Sequence, residues 1–133
     1  ECEKVAEAVG GAIQRGSKYY LAHAFTEDWR CRYYDNETWP LETHSIAAAL
    51  VCLSDLARSG YLEPSLAVEM TGKIMNTAAR EMQVGKGAFI YRAWPKRRVE
   101  SVFLRWSLAW MYYGLECAIS LGVEMPNKRS ERE

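Results

Sequence analysis

The segment Pro40-Leu41-Glu42-Thr43-His44-Ser45-Ile46-Ala47-Ala48-Ala49-Leu50-Val51-Cys52-Leu53-Ser54-Asp55-Leu56-Ala57-Arg58-Ser59-Gly60 sets the architecture read from this chain. Ile46, Ala49, Leu50, Leu53 and Ala57 recur at helical spacing, so they form one apolar stripe along a helix. Pro40 suits the first helical position, Glu42 the positive first turn, and Gly60 the stop. A second helix of the same design opens at Pro64, carries Ala67, Met70, Ile74, Ala78 and Met82 inward, and ends before Gly85. Its outer face is expected to be polar throughout.

Working outward, Val5, Val9, Ala12, Ile13, Gly16 and Tyr20 mark one face of a helix over residues 3–24. Trp29 to Tyr34 is short, aromatic and followed by Asp35-Asn36, which suits an extended arm. Ala88-Phe89-Ile90-Tyr91-Arg92, between Gly87 and Pro95, repeats that extended character. The last helix is expected over about residues 99–121, apolar on most of its circumference, and therefore innermost or covered by a partner. On that expectation Trp106→Ala should cost several kcal/mol, as truncation of a packed aromatic does.

The order helix, aromatic arm, helix occurs twice, aligning Ser45-Ile46-Ala47 with Ser107-Leu108-Ala109 and Arg32 with Arg92. The pattern predicts an all-α fold of two helical hairpins with short extended arms, one domain over residues 1–122 and a charged flexible tail over 123–133. Stacked hairpins leave apolar surface uncovered, so a homo-oligomer or a longer parent chain is expected.

With 133 residues, 49% apolar and 26% charged, the chain can bury one core and is not read as disordered. Seventeen basic residues balance seventeen acidic ones, so no nucleic-acid partner is expected. The apolar run Trp106 to Leu115 is too short for a bilayer helix, and Glu1-Cys2-Glu3-Lys4 does not read as a signal peptide, so no membrane partner and a cytoplasmic location are expected. Cys2, Cys31, Cys52 and Cys117 show neither redox nor zinc spacing and read as reduced thiols; no metal or cofactor is expected. Asn36-Glu37-Thr38 reads as a polar turn rather than a glycosylation site.

Arg32-Tyr33-Tyr34-Asp35, Trp39 to Leu50, and Gly87 to Arg92 running on to Leu104-Arg105-Trp106-Ser107-Leu108-Ala109-Trp110-Met111 resemble the C-terminal hairpins of the six-hairpin (α/α)-toroid proteins, in particular those encoded beside bacterial polysaccharide-biosynthesis glycosyltransferases. In that pattern an acidic residue, a histidine and a serine open one inner helix, and an Arg-Trp pair followed by Ala-Trp-Met opens the next. Glu42, His44 and Ser45 match the first motif; Tyr91, Arg92, Arg105, Trp106, Ala109, Trp110 and Met111 match the second. Where the pattern has glutamine this chain has Ala48 and Leu108, which removes polar groups able to contact a sugar. The resemblance implies that the chain binds or modifies carbohydrate, a sugar or an acidic oligosaccharide.

His44, in a first helical turn, suits a neutral imidazole acting as base or acceptor, or one that orders a neighbouring loop. It or Glu42 would carry a proton in acid/base chemistry at a sugar. Arg92 and Arg105 either clamp an acidic substituent through their planar forks or pair with Glu42, Glu100 or a helix end. Tyr34, Tyr91 and Trp106 complete the substrate-binding set, and other aromatics, Trp39 and Trp94 among them, either stack on a ring or bury area. Lys96-Arg97-Arg98 reads either as an anion-binding spot or as a solvated loop. The competing reading is a non-catalytic domain that self-associates through its apolar last helix.

Overall fold

The computed structural model describes residues 2–124. In chain order the elements are α1 (Cys2–His23), β1 (Leu41–Glu42), α2 (Thr43–Arg58), α3 (Pro64–Glu81), β2 (Gln83–Val84), β3 (Ala88–Phe89), β4 (Arg92–Trp94), β5 (Arg97–Val99), a π-helical turn (Leu104–Leu108) and α4 (Ala109–Ser120). The described residues are thus mixed α/β, with four helices and two small antiparallel sheets, and the all-α expectation is overturned. The short strands meet the backbone's demand for hydrogen bonds by pairing with one another: β1-β4-β5 form one sheet and β2-β3 the other.

α2 is the innermost helix. Ile46, Ala49, Leu50, Leu53 and Ala57 are buried as their spacing predicts, and α2 packs against α4, α3, the π-helical turn and β1. α3 begins with Pro64 at its start, with the Glu63 carboxylate accepting from the Ser65 N–H, and buries Ala67, Met70, Ile74 and Ala78; Met82, just past its end, is buried too. Its outer face is not uniformly polar, since Leu66 is exposed. Gly85 and Gly87 both hold positive φ in the three-residue β2–β3 loop, which only glycine adopts without strain.

The segment before α2 departs from the sequence reading. Leu41 and Glu42 pair antiparallel with Ala93 and Arg92, so α2 starts at Thr43, and Pro40 lies before the strand in a cis peptide with Trp39. Thr43 fixes this junction, its Oγ1 donating to the Ile90 carbonyl and its N–H to that of Tyr91 at 3.3 Å. The segment from Trp29 to Tyr34 is non-helical but irregular, with isolated bridges from Cys31 to Phe25 and Tyr34 to Glu37.

The last helix also differs. Residues 97–99 belong to a hairpin, Leu104–Leu108 is a π-helical turn, and α4 proper begins at Ala109. Only one side of it is covered: Ser107, Leu108, Met111, Gly114, Leu115 and Ala118 face α2 and the core, while Leu104 is 75% and Trp106 64% exposed, as are much of Tyr112, Tyr113 and Ile119. The innermost position expected of this helix belongs to α2, and Trp106 is not a packed core aromatic.

α1 spans nearly the expected residues, yet its apolar face is not buried: Val5, Val9 and Ile13 are exposed. It is joined to the body at its C-terminal end, where Tyr20 meets Phe25 edge-on at 5.4 Å and the Tyr19 hydroxyl donates to Asp35. α1 and α2 therefore do not make the packed hairpin that the repeat predicts. Val123 lies in the core, and residues 125–133, most of the expected tail, are outside the described residues. No helix of the described residues is long and apolar enough to cross a membrane.

Candidate functional site

The β1–β4 register places Glu42 directly across from Arg92, and contact follows from that pairing. Arg92 Nε and Nη2 both donate to Glu42 Oε1, at 3.2 and 3.1 Å, and Nη2 also donates to the Tyr33 hydroxyl at 3.3 Å. The guanidinium lies 4.6 Å from the centre of the Tyr91 ring and 5.5 Å from that of Tyr33. Burial works against its charge, but the Glu42 carboxylate outweighs burial and holds the Arg92 pKa above its usual value. Burial, then the charge of Glu42, pushes the Tyr91 phenol up.

His44 stands one residue beyond Thr43, so the bonds from Thr43 to Ile90 and Tyr91 bring its ring to the same corner. It meets Trp110 at 5.1 Å and Trp106 at 6.1 Å, both edge to face. Tyr91 in turn meets Phe103 edge-on at 5.2 Å. Glu42, His44, Tyr91 and Trp106 line a cavity of about 230 Å³ between the sheet edge and the π-helical turn.

The structure therefore brings together Glu42, His44, Tyr91, Arg92 and Trp106, drawn from segments up to 64 residues apart. Tyr34 and Arg105 are not among them. Tyr34 is exposed and packs edge-on against Tyr33 at 4.7 Å, so it is Tyr33 that reaches Arg92. Arg105 is exposed and forms no ion pair among the described residues. Trp110 was legible as a neighbour, since it lies four residues after Trp106 on one helical face. Tyr33 carries no such local signal, because its role depends on a strand pairing formed sixty residues downstream.

Chemically, the corner offers a carboxylate already held by one cation, an imidazole, a phenol and an exposed indole. Among the described residues, no three His, Cys, Asp or Glu side chains converge as metal ligands would. Cys31, Cys52 and Cys117 are free thiols, and the side chain of Cys2 is outside the described residues. No protein-family model matches the chain, and no curated protein or solved structure matches it.

Proposed function

We propose that the corner formed by Glu42, His44, Tyr91 and Trp106 binds a saccharide ring. The observation that carries this reading is the shared cavity, whose lining combines the aromatic side chains of Trp106 and Tyr91 with the hydrogen-bonding groups of Glu42 and His44. A pyranose needs that combination, an apolar face to stack on and polar groups at the edge for its hydroxyls. The residues carrying the resemblance to carbohydrate-handling proteins are largely those that meet here, which supports the same ligand. Arg92 has two donors engaged by Glu42, so the corner handles hydroxyls rather than an acidic substituent. Binding is the function proposed; His44 is the group placed to move a proton if the bound sugar reacts.

Titration with neutral mono- and oligosaccharides, followed by tryptophan emission, tests this. A saturable change that disappears in Trp106→Ala and His44→Ala is expected. Emission indifferent to every sugar would overturn it.

A second reading rests on a separate observation, the exposed apolar side of the π-helical turn and α4 at Leu104, Trp106, Tyr112, Tyr113 and Ile119. Surface of that kind marks an interface, with a second copy or with the rest of a longer polypeptide. Sedimentation showing a dimer that dissociates in Trp110→Ala, without any response to sugar, would favour it over the first.

A further inference from the structure

The β4–β5 hairpin extends the sheet face on which the Glu42–Arg92 pair lies. Alternate residues of a strand share a face, so the register sets Glu42, Arg92 and Val99 in one row and Trp94 opposite Arg97 in the next row on that side. The side chains agree: Arg92 bonds Glu42, and the Arg97 guanidinium lies 5.3 Å from the centre of the Trp94 ring. Trp94, Pro95, Lys96 and Arg97 line a second, more open depression of about 550 Å³. It begins two residues along β4 from Arg92, a distance of about 7 Å.

The two depressions differ in charge. In the first, Glu42 has Arg92 as its counterion, and an incoming carboxylate would set two like charges around one guanidinium. At the hairpin tip, Lys96 and Arg97 are exposed and have no carboxylate partner among the described residues. The Arg97 guanidinium carbon lies over the Trp94 ring at 5.3 Å, a cation–π contact that takes up no N–H in an ion pair, so its fork can meet an anion.

We propose that Trp94, Lys96 and Arg97 form an anion subsite for a charged substituent of the saccharide, so that the ligand is an acidic oligosaccharide with an uncharged portion in the Glu42–His44 corner and its anionic group at the hairpin tip. This rests on the saccharide reading of the corner. The sheet fixes the spacing between the subsites, because Arg92 and Trp94 belong to the same strand. The anionic group is a carboxylate or a phosphate ester, which present the same acceptor oxygens to the Arg97 fork.

Nuclear magnetic resonance of the full chain separates the two subsites, with the indole N–H signals of Trp94 and Trp106 and the Arg97 Nε–H as reporters. Glucuronate and glucose 1-phosphate should shift Trp94 and Arg97, the stronger of the two identifying the anionic group; maltotriose should shift Trp106 and leave Arg97 in place. Cellobiouronate, a glucuronate linked to an uncharged glucose, should move both sets, and its affinity should fall about tenfold or more in the double variant Lys96→Ala/Arg97→Ala, the loss expected for a charge-assisted contact. Added salt should weaken cellobiouronate and spare maltotriose. Anions that leave Trp94 and Arg97 unmoved, or a double variant that binds cellobiouronate like the parent, would overturn the subsite. If anions shift Trp94 and Arg97 while no sugar shifts Trp106, the subsite stands and the saccharide reading of the corner fails.

Discussion

Gly114 of α4 approaches Ala47 of α2 so closely that a Cβ on the glycine would lie 3.0 Å from the Ala47 carbonyl oxygen and 3.2 Å from its Cα. Both neighbours are backbone atoms of the innermost helix and cannot turn aside. Gly114→Ala should therefore push α4 off α2 and destabilise the protein by about 1–3 kcal/mol, outweighing the gain in helix propensity. Urea unfolding midpoints of the two proteins measure this, and an unchanged or raised midpoint would show that the helices are not so tightly apposed.

Arg30 and Glu81 join the irregular segment after α1 to the end of α3 through two hydrogen bonds, at 2.9 and 2.6 Å. Burial opposes the Glu81 charge, but the bonds from Arg30 and Arg80 outweigh it and hold the carboxyl below its usual 4.5. A carboxyl depressed in the folded state stabilises fully above its unfolded pKa, and that contribution is lost as pH falls from about 4.5 through the lower folded value. Melting temperature should drop over that window. Glu81→Gln should lose about 1 kcal/mol at neutral pH, the pair being partly screened by water, and should show a shallower acid decline. Parallel curves for the two proteins would assign the acid sensitivity elsewhere.

Trp106→Ala should change stability by no more than about 1 kcal/mol, since most of the indole is already in water. The emission change proposed for neutral saccharides should nevertheless vanish. A loss of several kcal/mol would restore the packed role that the sequence suggests.

Thiol labelling should follow burial. Burial pushes the Cys31 thiol up to about 12, whereas Cys52, raised by burial and then by the charge of Asp55, remains partly open to solvent. Iodoacetamide at pH 8 should modify Cys52 well before Cys31, as peptide masses from a time course would record. Equal rates would mean that the Phe25–Cys31 bridge opens readily.

The helices that bury a stripe were legible because their signals are local. Ile46 to Ala57 and Ala67 to Ala78 declare a period, and Pro64 declares a start. What escaped the sequence was pairing across distance. Nothing near Leu41 says that its partner is Ala93, so Pro40 and Glu42 read as a helix start. Pro95-Lys96 read as a boundary before a helix, when it is the two-residue connection of a hairpin, with Trp94 opposite Arg97. The candidate site was legible to the extent that its residues flank helix starts, as Glu42, His44 and Trp106 do. The choice of Tyr33 over Tyr34 was not, because nothing local to either tyrosine says which of the two meets Arg92 on a strand far along the chain. α1 shows the complementary gap: its periodicity gave its length but not whether anything would cover Val5, Val9 and Ile13.

The three-stranded sheet has a consequence for how the protein is made. β1 leaves the ribosome some fifty residues ahead of β4, the strand it pairs with, and contacts of such separation form late. A nascent chain that has reached only α3 carries Glu42 with no counterion and His44 with no indole beside it. The corner that gathers Glu42, His44, Tyr91 and Trp106 is thus unmade until synthesis has passed the second hairpin and α4 has docked, and a polypeptide arrested before that point has helices but no such corner.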